Sequence, residues 1–347
     1  VIIDRDLRET DHVYILPDHL LYPKGMIGDV IKFALETSQY QQPEMCLAGA
    51  IALMSVITGR RVVNQHNART NLYIITVNAA RSGKDRIRDV NKEILYRAGA
   101  IDMVGPERVG SHAGIISWID KSPEILFQLD EIGRMLATCR DARSSHLYNV
   151  ATVLMSLFSS AGSMWKADAY AETKKTKIID QPHCVVFGTT TAETLWPNIS
   201  MENVADGMIG RLLIFEGRGY VDWNDDYVSK HPPEDLVQAV RSWIEMKPGS
   251  GAGNLETWHP IPLVIPYSKD AGDRFLDHVK SINNKRKDET PFRAAVWSGT
   301  AEKTAKLALI HACSMSYGVP SEVSINDIEW AVGICNFLTR KMILRCQ

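Results

Sequence analysis

The chain has 347 residues, 45% of them hydrophobic and 23% charged, which excludes a disordered, collagen-like or coiled-coil protein and is ample for one large domain or two modest ones. Its 39 Lys and Arg are balanced by 41 Asp and Glu, so the net charge of -2 provides no overall basic field, and a nucleic-acid partner would have to be held by local patches. Six cysteines (Cys46, Cys139, Cys184, Cys313, Cys335 and Cys346) form no C-x-x-C pair or Cys/His cluster at metal-ligand spacing, and read as reduced thiols of an intracellular protein. The longest apolar stretch, Met45 to Ile57, is short of a membrane span, and no signal peptide is visible. Starting at Val1 and stopping at Cys346-Gln347 directly after a helical pattern, the chain reads as a piece of a longer protein.

Residues 1–69 read as an N-terminal helical region. Val30, Ile31, Phe33 and Ala34 mark one helix, Pro43 starts another, and the apolar run from Met45 predicts a helix buried on every side. Residues 70–220 carry four short apolar runs that predict buried strands: Leu72 to Val77, Ile125 to Leu129, His183 to Phe187 and Leu212 to Phe215. The first is followed by a small polar loop and an amphipathic helix from about Asp85 to Ala98, the order of a parallel α/β unit. Helical segments between the runs predict an α/β fold, a sheet covered by helices. After Tyr220 the composition shifts. Turn-rich stretches at 222–233 and 247–254 precede a Pro-broken strand at Pro260 to Pro266, and helices follow at about 268–284, 300–317 and 326–345. Residues 221–347 therefore read as a mainly helical C-terminal appendage.

The loop after the first strand is Asn78-Ala79-Ala80-Arg81-Ser82-Gly83-Lys84-Asp85. Against the phosphate-binding pattern G-x-x-x-x-G-K-[ST] it keeps Gly83 and Lys84, with Asn78 for the first Gly and Asp85 for the hydroxyl residue. A strand aims it and a helix follows, the setting in which backbone N–H groups and the helix dipole meet phosphate oxygens. Gly83 would let the backbone approach the phosphates, and Lys84 would reach the β- and γ-oxygens. The competing reading is a helix-initiating turn capped by Asp85.

About 45 residues on, the second strand ends in Asp130-Glu131. One acid of such a pair can hold Mg²⁺ and the other activate the attacking water, which favours catalysis over a solvated pair. The third strand ends in Gly188-Thr189-Thr190-Thr191, and the hydroxyls of Thr189 and Thr190 are candidates to sense a γ-phosphate from between the other two strands, the other reading being threonines that hydrogen-bond in a turn. Gly207 to Arg211 leads into the fourth strand, and Arg211 is the candidate for an arginine that stabilises transition-state charge, in trans across a subunit boundary.

In order and spacing these segments, together with Pro23-Lys24-Gly25, Gly59-Arg60-Arg61, Gly110 to Gly114, Gln181-Pro182 and Glu302 to Ala308, resemble the replicative-helicase ATPases of phages, plasmids and integrated elements, a P-loop family often fused to or encoded beside primases. The likeness covers about residues 20–345. It implies a RecA/AAA-like P-loop NTPase core at 70–220 that binds ATP at Asn78 to Asp85 with Lys84 on the phosphates. It further implies Mg²⁺ at Asp130 with help from Asp85, water activation at Glu131 and an arginine role at Arg211. A homo-oligomeric ring, a hexamer in the common form, would act on single-stranded DNA in the cytoplasm of a bacterial or phage-infected cell, with a primase or primase-polymerase domain as partner. Asp85 departs from the usual hydroxyl Mg²⁺ ligand and adds negative charge beside the phosphates. That leaves open an alternative, a nucleotide-insensitive DNA-binding or primase-loading ring module with a degenerate loop.

Between the second and third strands, Ser159 to Lys177 interleaves Trp165 and Tyr170 with Lys166, Lys174, Lys175 and Lys177. Such a mixture suits single-strand binding through phosphate contacts and base stacking, and in ring helicases of similar architecture loops at this place line the pore. The other reading is a solvated hairpin with Trp165 packed back on the domain. Arg60-Arg61 and Lys285-Arg286-Lys287 read as solvated charge runs, and Lys303 and Lys306 as the border of a helix-packing surface.

Overall fold

A computed structural model describes residues 15–138, 145–167, 176–199, 207–250 and 259–346. The first half forms α1 (Gly25–Glu36), α2 (Pro43–Ile57), β1 (Val62–Asn64), β2 (Tyr73–Val77), α3 (Arg86–Arg97), α4 (His112–Lys121), β3 (Glu124–Leu129) and α5 (Ser145–Ser160). The second half adds β4 (Met164–Lys166), β5 (Ile178–Asp180), β6 (His183–Thr190), β7 (Leu212–Glu216), α6 (Glu234–Glu245) and β8 (Leu263–Ile265). It closes with α7 (Lys269–Asp288), α8 (Pro291–Ser298), α9 (Thr300–Ser316) and α10 (Ile325–Arg345), and shorter helices and strands join these elements.

The fold is mixed α/β. Its centre is a four-stranded parallel sheet in the order β3-β6-β2-β7, so the third predicted strand runs between the first two. Parallel strands covered on both faces must be apolar throughout, which is why these segments appear in the sequence as unbroken runs rather than alternating ones. Their side chains still divide by parity. Leu72, Ile74, Leu126, Val185, Phe187, Leu213 and Phe215 join one core, while Tyr73, Ile75, Phe127, Cys184, Val186 and Ile214 join the core on the opposite face. The all-apolar α2 has every residue buried and crosses the first face, as a helix without a polar side must. Helices α4 and α5 pack on the second.

The C-terminal helices are not appended to this body. Residues of α9 and α10 lie in the same core as α1 and α2, the Ile27 amide donates to Ser314 Oγ at 2.8 Å, and the Trp330 indole donates to the Leu20 carbonyl at 2.9 Å. Strand β1 pairs in parallel with β8, Val62 opposite Leu263. Helices at Glu234–Glu245 and Pro291–Ser298, within the C-terminal third, were not foreseen individually. Among the described residues no helix is long and apolar enough to cross a membrane. The described cysteines, Cys46, Cys184, Cys313, Cys335 and Cys346, are free thiols, and burial pushes the pKa of Cys46 and of Cys184 up to about 12.

Two charge assignments change. Arg60 and Arg61 are not a solvated run but are 7% and 2% exposed. Arg61 meets Glu124 at 2.6 Å and donates to the carbonyls of Gly59, Trp243 and Ile244. Lys303 and Lys306 do not border the helix-packing surface but lie inside it. One turn apart on α9, each is 2% exposed, and their ammonium groups bond the Leu212 carbonyl and the carbonyl and side chain of Asn71. These acceptors stand where β7 and β2 begin, so two lysines fasten α9 to the amino edge of the sheet. Burial pulls the pKa of both down to about 8. The Arg286 and Lys287 of the other basic run are exposed, as expected.

Candidate functional site

All four parallel strands deliver their carboxyl ends to one edge, where Val77 lies opposite Thr190 and Glu216, and Leu129 opposite Gly188. Loops leaving such an edge are the usual place for a ligand in an open α/β sheet. Residues Asn78 to Asp85 lie there between β2 and α3, and Asp130-Glu131 follow β3 two strands away.

Within the loop, Arg81 (φ 58°) and Gly83 (φ 84°) both take left-handed backbone angles. Gly83 is required twice over, because a Cβ there would also stand 2.7 Å from the Tyr40 carbonyl oxygen. Ser82 is buried and bonds the Ala79 carbonyl at 2.7 Å, which tightens the turn. Asn78 is buried at the foot of the loop. Its side-chain oxygen accepts from the Ala79 and Gly219 amides, tying the foot of the loop to the segment after β7. Ala80 and Arg81 are exposed.

Lys84 and Glu131 meet at 2.6 Å, joining the two motifs directly. Glu131 occupies the left-handed region (φ 52°), a conformation that costs a non-glycine residue roughly 1–3 kcal/mol and concentrates at functional sites. Its neighbour Asp130 accepts from the Thr189 hydroxyl at 3.1 Å and lies 3.5 Å from Arg88. Arg88 also pairs with Asp85 at 2.6 Å, so a single guanidinium spans the two carboxylates expected to serve a metal. Asp85 makes no side-chain cap to its helix, which removes the competing reason for its place. The Thr190 hydroxyl is fully buried with no hydrogen-bond partner among the described residues.

Lys84, Asp85, Asp130, Glu131 and Thr189 thus converge, and Arg88 joins them unforeseen. The available signal was its position one helical turn after Asp85, where an acid and a base meet on one face. Arg211 does not join. It precedes β7 at the amino edge, about 16 Å from the loop at the rise of a strand, and bonds the Gly207 carbonyl and Ser159 Oγ.

The basic hairpin is also at the amino edge, where β4 and β5 pair antiparallel ahead of β6. Trp165 is 7% exposed and donates to Ser156 Oγ at 2.8 Å, so it packs on the domain and offers no stacking face. Lys166 is exposed, and Lys177 pairs with Asp120 at 2.8 Å. Lys174, Lys175 and Tyr170 lie outside the described residues.

Compared with known proteins, the chain matches no family model and no curated sequence.

Proposed function

We propose that the protein is a P-loop NTPase of the RecA/AAA type, related to the helicases of mobile elements, that hydrolyses ATP to move along or unwind single-stranded DNA. The supporting observation is the Lys84–Glu131 ion pair at the carboxyl edge of a parallel sheet, reached from opposite sides of an intervening strand. Two residues 47 positions apart, selected for phosphate binding and for water activation, lie in direct contact.

In this arrangement Lys84 neutralises Glu131. Phosphate oxygens entering the loop compete for the lysine, and the freed carboxylate accepts a proton from water. The loop amides and the start of α3 bind phosphate, and Thr189 orients Asp130. The oxygens of Asp130 and Asp85 are the hard donors that Mg²⁺ takes, and their shared hold on one cationic group shows that both are directed to a common place. Bound Mg²⁺ would offset the charge of the phosphates there. Arg211 is too far to serve its own loop, so its catalytic role belongs to a neighbouring subunit of a homo-oligomeric ring, a hexamer in this reading. The exposed Lys166 suits a phosphate backbone passing the hairpin, and a primase or primase-polymerase domain is the expected partner.

The test is ATP hydrolysis at high protein concentration with Mg²⁺, with and without single-stranded DNA. Wild type turns over and is stimulated by DNA, and Lys84→Ala is folded and inactive. Retained turnover in that variant overturns the reading. A second reading, a nucleotide-insensitive DNA-binding or primase-loading ring, is favoured by Arg88 standing between Asp85 and Asp130. Under it, DNA binding is the same with and without Mg-ATP.

A further inference from the structure

At the amino edge of the sheet, opposite the loop, a cavity of about 180 Å³ opens between the segment that enters β2 and the turn that joins α5 to β4. Asn67, Arg69, Ser159, Gly162, Glu302 and Lys306 are among its lining residues.

Arg69 is 8% exposed, yet its Nε and Nη1 have no hydrogen-bond partner among the described residues. A guanidinium keeps its proton under almost all conditions, so leaving its donors buried without an acceptor is costly. Beside it, Gly162 leaves a gap that any other residue would fill. A Cβ there would stand 3.3 Å from Arg69 Nε and 3.4 Å from Asn67 Nδ2. The open donors of an arginine and an amide therefore share one free space.

The surrounding charge is positive. Lys306 Nζ is held at the cavity by Asn71 Oδ1 at 2.8 Å, and Arg211 reaches Ser159 Oγ at 3.3 Å. Against these three cations stand Glu302, 3.2 Å from Lys306, and the roughly half-charge of the α5 carboxyl end. Asp180 also acts on Arg69, but its carboxylate is bonded to His259 at 2.6 Å.

We infer that this cavity binds a phosphate-class oxyanion, received by the Arg69 guanidinium and the Asn67 amide, with the Ser159 hydroxyl turning to it from its long 3.4 Å bond to the Met155 carbonyl. Donors converging from several side chains suit a tetrahedral anion, whereas a planar carboxylate is satisfied by the arginine fork alone. The cavity lies at the foot of the β4–β5 hairpin, so the group is either free phosphate or the backbone phosphate of a strand passing it. The inference does not depend on nucleotide binding at Lys84.

Calorimetric titration with inorganic phosphate tests it, in chloride buffer and on the Lys84→Ala chain so that the loop contributes nothing. Binding is expected there, weakened about tenfold or more by Arg69→Met, the loss of one well-placed charge-assisted contact. Gly162→Ala, which keeps every charge and fills the gap, weakens it likewise. Arg69→Met also melts higher than its parent without phosphate, since it removes an unpartnered buried charge, and this separates lost binding from lost folding. Competition by an oligothymidylate assigns the group to a strand backbone, and indifference to it assigns free phosphate. Absence of binding in the Lys84→Ala chain, or equal binding in all three chains, overturns the inference.

Discussion

The two ends of the parallel sheet use charge differently. At the carboxyl edge the ion pairs are reachable: the side chain of Glu131 is 32% exposed, that of Asp130 43% and that of Asp85 64%, each beside a cation whose own side chain is only 10% exposed. At the amino edge a set of charged and polar groups is instead sealed in and bonded to fixed partners: Arg61 to Glu124, Lys303 to the Leu212 carbonyl, and the His183 ring to the Ser55 carbonyl at 2.8 Å. Charges that can be reached can also be exchanged for those of a ligand. Sealed charges hold the sheet and helices in register. Arg69 differs from these, because its Nε and Nη1 find no hydrogen-bond partner among the described residues.

If this division is right, substitutions at one edge alter turnover and leave stability nearly intact, while those at the other do the reverse. The largest effect belongs to Glu131→Gln, which should lower ATP turnover by about 10²–10⁴-fold through loss of the base. Its unfolding free energy in urea should stay within about 1 kcal/mol of wild type, because the pair it breaks is partly solvated. A comparable loss of stability in that variant would erase the contrast.

Next comes Arg61→Met. It leaves the Glu124 carboxylate, which burial already drives to a higher pKa against the pull of Arg61, with the more distant Arg60 at 3.9 Å, and breaking such a pair costs about 3–5 kcal/mol. Urea unfolding measures this, and turnover per folded molecule should not change.

Third is the response to acid. Burial, reinforced by Lys306, Arg69 and Arg61, pushes the His183 pKa down to about 3, against 6.5 in the unfolded chain. Below pH 6.5 the unfolded state binds the extra proton, so stability falls with acidity until about pH 3. At pH 5 this group alone removes about 2 kcal/mol. His183→Gln keeps a donor toward Ser55 and cannot titrate, so its loss of stability between pH 7 and pH 5 should be smaller by about that amount. Equal losses in both chains would show that the imidazole is not the sensor.

The smallest change in stability is expected from Asp85→Thr. The exposed pair with Arg88 is worth about 0–1 kcal/mol, so the melting curve should barely move. Replacing a carboxylate beside the phosphates by the customary hydroxyl should instead tighten Mg-ATP binding. Unchanged affinity would mean that Asp85 stands away from the metal.

The sequence alone revealed the four strands of the central sheet, because buried parallel strands are short, apolar and bounded by polar loops whatever surrounds them, whereas β1 fell within the stretch read as helical. Loop, acid pair and Thr189 could be read for the same reason, since each is anchored to a strand end. What escaped were charged residues whose partners are remote. Arg61 finds Glu124 63 positions away and Lys306 finds Asn71 235 positions away, so a local pattern sees only a solvated basic run at the first and the border of a packing surface at the second. Trp165 shows the reverse case. Its basic neighbours suggested a stacking platform, but Ser156, nine positions back, satisfies its indole and turns the ring inward.

The bond from Trp330 to the Leu20 carbonyl, with the pairing of Val62 to Leu263, also bears on how the protein is made. Helices α1 and α2 have no finished surface to close on until residues near 330 exist, a separation of 310 positions for the indole contact. Long-range closure of this kind slows folding and leaves apolar surface waiting, most of all the all-apolar α2. A nascent chain halted after β7 would therefore be a client for chaperones, and cutting the gene at that point would deliver insoluble protein.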